Sequence, residues 1–216
     1  MTNQIPLIRL VDDDDMFRVS QMMLLKTRGW EVVGFASGEE FLAKADLRRP
    51  GCIILDVRME GLTGMQVHRT LVERGCGLPV VFLTGHGDIP MAVRAMQRGA
   101  VSFLEKPVKP FDLLEVVQKA VDASLESLHK DEEAERRRAL FDTLTPREKE
   151  VVMRAAVDMP NKVIARELGI AEPTVKMHRG NAFAKLGVKS ALEAYRALER
   201  LGIRVDGAEP AEDKDA

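Results

Sequence analysis

Two hydrophobic periodicities alternate along the first 120 or so residues of the chain. Apolar runs at Pro6–Val11, Cys52–Val57, Pro79–Thr84 and Val101–Glu105 are short and almost unbroken, and Trp30–Phe35 alternates apolar with polar. Runs of this length are strands, and an unbroken apolar run marks a strand buried on both faces of a sheet. Between them, Met16–Arg28, Gly38–Ala45, Met65–Glu73, Ile89–Gln97 and the stretch from Phe111 carry apolar residues at helical spacing. Gly29 and Gly99 stop two of these helices, and Ser37 with Glu40 three residues on forms a capping-box pattern. Strand followed by helix, five times over, predicts an α/β doubly wound five-stranded parallel sheet.

The last of these helices has no internal stop. Leu114, Val117, Val121, Leu125 and Leu128 keep a three-to-four spacing, and neither Gly nor Pro follows until Pro146. Lys130–Arg138 is almost wholly charged, the pattern of a solvated helix face, so 126–141 is expected to be a helical linker after a first domain at 1–125. A small all-α domain is then expected over 142–205. Thr145, Pro146 and Glu148 make a strong helix start. Asn161 is expected to cap Lys162–Leu168, Gly169-Ile170-Ala171 to turn, and helices to follow over Glu172–Leu186 and Ser190–Leu201. Helix, short glycine turn, helix is the arrangement that presents a recognition helix to the major groove. The tail at 206–216 is small and acidic, a composition expected to be disordered.

The net charge of −2 says little, because its distribution is uneven. Asp142–Arg204 holds twelve Lys/Arg against eight Asp/Glu, and Asp206–Ala216 one Lys against five Asp/Glu. The basic charge therefore sits in the helical segment. Two cysteines make no disulfide framework: Cys52 falls in a buried strand as a small core hydrophobe, and Cys76 in a glycine-rich loop as a free thiol. No apolar stretch reaches 18 residues and no signal peptide is evident, so a cytoplasmic protein without membrane contact is expected.

The parallel sheet brings the carboxyl ends of its strands to one edge, where ligands bind in such folds. Asp12 and Asp13 follow the first strand, Asp56 ends the third, Thr84 the fourth, and Lys106 follows the fifth. An aspartate at that edge is either buried and paired or chemically active in a crevice. Three converging carboxylates repel, and an all-oxygen donor set suits Mg²⁺. Lys106 adds a point charge for a phosphoryl oxygen and Thr84 a hydroxyl. Carboxylate nucleophile, Mg²⁺, lysine and hydroxyl are what phosphoryl transfer to an aspartate needs. Asp14 and Asp15 are read as helix N-terminal residues favoured by the dipole, and the four histidines show no metal-ligand spacing.

Val11-Asp12-Asp13, Leu55-Asp56-Val57-Arg58-Met59, Leu83-Thr84-Gly85 and Phe103-Leu104-Glu105-Lys106-Pro107 resemble the CheY-like receiver domain of two-component response regulators, over residues 5–125. The resemblance implies that Asp56 accepts a phosphoryl group from a sensor histidine kinase. It implies that Asp12, Asp13, Asp56 and the Val57 carbonyl hold Mg²⁺, that Thr84 and Phe103 form a switch pair, and that the Lys106–Pro107 bond is cis. Glu60 stands where the family usually has proline, a change in loop stiffness. Leu144-Thr145-Pro146-Arg147-Glu148, Asn161-Lys162-Val163-Ile164-Ala165 and Thr174-Val175-Lys176-Met177-His178-Arg179 resemble the LuxR/NarL-type helix-turn-helix, and the two halves together a FixJ-type regulator. That likeness implies DNA contacts at Lys162, Thr174, Lys176, Met177, Arg179, Gly180 and Lys185. Gly180 departs from the polar or basic residue often found there. Ala171 departs from the usual capping serine, which costs about 0.5–2 kcal/mol locally and is partly offset by Pro173.

The function expected from these parts is a phosphorylation-activated transcription factor. The face carrying Met91, Val93, Met96 and Val101 is expected to dimerise or to release the DNA-binding domain. Two alternatives stand beside it: a DNA-binding protein with a degenerate receiver, and a phosphatase or hydrolase using Asp56 in turnover. The hydrolase lacks a candidate general acid beside Asp56, where Arg58 stands two residues on.

Overall fold

The protein is described by a computed structural model covering residues 5–85 and 102–205. The helix expected over Ile89–Gln97, the dimer face at Met91, Val93, Met96 and Val101, and the tail from Asp206 lie outside these residues. The chain divides into two compact units, 1–129 and 130–216.

The first unit is a five-stranded parallel sheet in the order β2-β1-β3-β4-β5. Its strands are β1 (Leu7–Val11), β2 (Glu31–Phe35), β3 (Gly51–Asp56), β4 (Val80–Thr84) and β5 (Ser102–Glu105). The helices among the described residues are α1 (Asp15–Lys26), α2 (Gly38–Lys44), α3 (Gly64–Glu73) and the first part of α4 (Pro110–Asp142). The expected doubly wound sheet is therefore present.

Alternation along each central strand separates two cores. Ile8, Leu10, Cys52, Ile54, Val81 and Leu83 face Leu25 of α1 and Leu113, Val117 and Val121 of α4. Val11, Ile53, Leu55 and Phe82 face Phe41 of α2 and Val67 and Leu71 of α3. Both sides of β3 are thus covered, as its unbroken apolar run demands. The order also places the switch point between β1 and β3, where the connections leave in opposite directions. The carboxyl ends of those two strands carry Asp12, Asp13 and Asp56.

Two local features differ from the expected pattern. Ser37 caps α2 through the Glu40 amide, but Glu40 returns its carboxylate to the Ala36 N–H at 3.1 Å, so the box closes one residue early. Arg9, which the apolar pattern of β1 hides, is wholly buried. Its Nε, Nη1 and Nη2 donate to the carbonyls of Asp46 (2.6 Å), Leu7 (2.8 Å) and Arg49 (2.9 Å), pinning the α2–β3 loop to the sheet. Burial pulls its guanidinium below the usual pKa, with Asp46 opposing. The buried Cys52 thiol is pushed up to about 12, which leaves it an inert core residue as expected.

The second unit holds the rest of α4, then α5 (Pro146–Ala156), α6 (Asn161–Leu168), α7 (Glu172–Leu186) and α8 (Ala191–Arg200). Thr145 and Glu148 form the reciprocal capping box predicted for α5. Gly169 ends α6 at φ +64°, and Ala171 begins α7 without a side-chain cap, so α6, turn and α7 form the expected helix-turn-helix. Asn161 does not cap α6. Pro160 occupies that place, and the Asn161 side chain accepts instead from Arg179, so its oxygen is not spent on its own helix. Leu144, Val152, Ala182, Ala194 and Leu198 form one core cluster, and Val151, Ala155, Ile164 and Val175 another. No helix among the described residues is long and apolar enough to cross a membrane.

Arg9→Met leaves three carbonyls without their donor. It is expected to lower unfolding stability by about 3 kcal/mol in urea titrations, with Arg9→Lys failing to restore it because one ammonium cannot span three carbonyls.

Candidate functional site

The side chains of the site are delivered by the ends of four strands. Asp12 and Asp13 follow β1, Asp56 closes β3, Thr84 closes β4, and Lys106 follows β5. Register joins them: Asp56 pairs with Leu83 and Thr84 with Glu105, and the Lys106 N–H donates to the Thr84 carbonyl at 2.6 Å. Asp12 and Asp56 are buried and Asp13 is exposed, and one ligand oxygen from each lies within 4.8 Å of the others. The Lys106–Pro107 bond is cis, as the resemblance implies.

Lys106 spans the two buried carboxylates. Its Nζ donates to Asp12 Oδ2 at 2.7 Å and to Asp56 Oδ2 at 2.8 Å, and it lies 4.2 Å from the centroid of the Phe17 ring. Burial pulls the ammonium pKa down, but the two carboxylates outweigh it and raise it. The Asp12 carboxyl is raised above its usual range, chiefly by burial, with Lys106 opposing. One lysine among three carboxylates leaves an excess of negative charge, and the donor set is all oxygen. A hard divalent cation fits both facts.

The backbone around the site fixes the acids. Asp12 Oδ1 accepts from the Asp14 N–H at 3.0 Å, and Asp56 Oδ1 from the Arg58 N–H at 3.2 Å. Asp13 Oδ2 accepts from the Glu60 N–H at 2.9 Å. A proline at 60 has no N–H to give, so the family departure at this position supplies Asp13 with a partner. The Val57 carbonyl accepts from the Gly64 N–H at 3.2 Å and keeps a second lone pair. Asp14 caps α1 through the Phe17 amide, and Asp15 lies in the first turn and pairs with Arg18, in line with their reading as helix-start residues. Arg18 Nη1 also donates to the Asp12 carbonyl at 2.5 Å, a contact that no local pattern signals. Phe103 is half-buried, with its ring 6.3 Å from that of Phe82, its register partner.

In the helical unit, Glu172, Pro173, Lys176, Met177, Gly180, Asn181 and Ala184 recur at three-to-four spacing as the exposed face of α7. Lys176 is free in the open and Met177 is 53 % exposed. Thr174 and Arg179 flank that face, half-buried, and Lys162 is exposed on α6. Arg179 is held in place: Nη1 donates to Asn161 Oδ1 at 3.2 Å, and the guanidinium carbon stands 5.2 Å from the Phe183 ring centroid. Nothing lies within 4 Å of a Cβ built on Gly180, so packing does not require glycine there. Lys185 is placed apart from this set. Its Nζ donates to Glu148 Oε2 at 2.6 Å and to the Thr143 carbonyl at 3.3 Å, and Lys185 first among the partners holds the Glu148 carboxyl below its usual pKa.

Comparison with known proteins gives the same division. Residues 8–118 match the response regulator receiver domain, and residues 142–198 match the bacterial regulatory proteins of the luxR family. Nodulation protein W of Bradyrhizobium diazoefficiens is 41% identical over 207 residues, covering 94% of this chain and 89% of that protein. The transcriptional regulatory protein FixJ of Rhizobium meliloti is 37% identical over 183 residues, 85% of this chain and 90% of its own. Among solved structures, the response regulator StyR matches at a TM-score of 0.83 with 39% identity, covering 91% of this chain and 99% of its own.

Gly64 sets the tightest contact at the site. A Cβ there would stand 2.1 Å from the Asp56 carbonyl oxygen. Gly64→Ala is therefore expected to cost about 1–3 kcal/mol in urea unfolding and to weaken divalent-cation binding measured by calorimetry. Gly180→Ala, in open space, is expected to stabilise the helical unit by about 0.5–1 kcal/mol.

Proposed function

The chain belongs to the two-component response regulators that join a receiver domain to a LuxR-type DNA-binding domain, and we propose that it is switched by phosphoryl transfer from a sensor histidine kinase to Asp56. The observation that carries this reading is the gathering of Asp12, Asp13 and Asp56 within 4.8 Å, with Lys106 spanning two of them. Asp12, Asp13, Asp56 and the Val57 carbonyl are the residues that would hold Mg²⁺. The bound ion supplies charge neutralisation for the incoming phosphoryl oxygens.

In the transfer, the donor P–N bond breaks as an Asp56 Oδ–P bond forms, and the departing imidazole nitrogen takes up a proton. The Arg58 N–H orients the Asp56 carboxylate through Oδ1. Lys106, already 2.8 Å from Oδ2, turns to a phosphoryl oxygen and offsets the added charge. Thr84, buried at the end of the neighbouring strand, offers its hydroxyl to the same group, and Phe103 repacks behind it. Lys106 leaves Asp12 when it moves, so the switch is a change of partners within one charge cluster.

The output is DNA binding by a homodimer in the cytoplasm, changing transcription at target promoters. Lys162, Thr174, Lys176, Met177, Arg179 and Gly180 form the proposed contact surface. Lys176 is suited to phosphate, and the pre-set Arg179 fork to phosphate or a base edge. The receiver at 1–125, linker at 126–141, DNA-binding domain at 142–205 and acidic tail at 206–216 are the proposed divisions.

Intact mass after incubation with acetyl phosphate and Mg²⁺ is expected to show one added phosphoryl group, absent in Asp56→Asn and after chelation of the metal. Light scattering on the same samples is expected to show dimers only where the phosphoryl is present. An unmodified wild type would instead favour a degenerate receiver. Lys176→Ala and Arg179→Ala are each expected to weaken duplex binding and to lower the slope of log affinity against log salt by about one.

A further inference from the structure

Glu148 is 4 % exposed, although it lies in the first turn of α5. Its Oε2 accepts from the Thr145 N–H at 2.8 Å and from Lys185 Nζ at 2.6 Å. Leu144 and Val152, from the residues around it, belong to the apolar cluster that also takes in Ala182 of α7. Lys185 is the cation bonded to this carboxylate, and its second bond goes to the Thr143 carbonyl, directly after α4 ends. A carboxylate this far out of water cannot lose its cation cheaply. The Lys185 side chain is 37% exposed, and swinging it away to a DNA phosphate would abandon that carboxylate.

The same helix carries both ends of the argument. Lys176 and Arg179 stand on α7 nine and six residues before Lys185, about 14 Å and 9 Å along the axis. Fixing Lys185 fixes the C-terminal end of α7 against the start of α5, and with it the angle at which the exposed face meets a duplex. We propose that Lys185 is a positioning residue for DNA binding, holding the recognition helix through Glu148 and Thr143, and not a DNA contact.

The two roles predict opposite signs. If Lys185 touched DNA, Glu148 would compete with the phosphate, and removing its charge would tighten binding. If Lys185 positions α7, removing either partner loosens the helix and weakens binding. The full-length protein and its Lys185→Met, Lys185→Arg, Glu148→Gln and double variants are titrated by fluorescence anisotropy. The probe is a duplex selected by the wild type from a random pool, and wild-type retention is the separate control on DNA binding itself. Titrations run over a salt series, at a temperature where circular dichroism shows every variant folded.

The expected result is about a tenfold loss for both Lys185→Met and Glu148→Gln, an unchanged salt slope, and recovery in Lys185→Arg. The double variant is expected to bind no worse than either single one, because the two side chains act as a unit. A salt slope lower by about one in Lys185→Met, tighter binding by Glu148→Gln, or wild-type affinity in both would overturn the proposal.

Discussion

A single ammonium between two buried carboxylates governs the receiver half of this molecule. Asp12 is wholly out of water and Asp56 nearly so, and Lys106 lies within 2.8 Å of an oxygen of each. Without it, the parallel sheet would have to close two like charges into its own edge. With it, three carboxylates still face a single ammonium, and the cluster is left short of positive charge. That shortage, with an all-oxygen donor set, is what fits the site to a divalent cation. The geometry rests on strand order: β1 and β3 are neighbours only because the chain reverses its winding between them.

The helical half repeats the theme with a different outcome. Glu148 is again a buried carboxylate satisfied by a lysine distant in sequence, and the capping box of α5 is built into the same group of atoms. In the receiver, the lysine is shared between two acids at the carboxyl edge of the sheet. In the helical unit, Lys185 serves one acid and a carbonyl, and leaving would strand the acid. The same pair of residue types thus joins two acids at a sheet edge in one place and ties two helices together in the other.

Departures from the family pattern also resolve physically. Glu60 gives Asp13 a backbone donor that proline lacks. Ala171 leaves α7 without a cap, and Gly180 leaves a gap in its exposed face. Each loosens or bares the recognition helix, while Asn161, freed from capping α6, steadies Arg179 from outside.

What the linear order of residues determined is whatever depends on near neighbours and on period. The strands, the helices among the described residues, the Thr145 start, the turn at Gly169 and the convergence of Asp12, Asp13, Asp56, Thr84 and Lys106 all follow from that. Parallel strands must bring their carboxyl ends to one edge, whatever the details. Partners far apart in the chain were decided only in three dimensions. Arg9 looks like one polar residue in an apolar run, yet it holds carbonyls 37 and 40 residues away. Asn161 and Arg179 are 18 apart, and Lys185 and Glu148 are 37 apart. A side chain with long reach and several donors has many possible partners, and local pattern carries no information about which one packing will bring within 3 Å. For that reason Lys185 could be read from sequence as a basic residue on a recognition helix, while the fold brings its ammonium onto Glu148, 37 residues back in the chain.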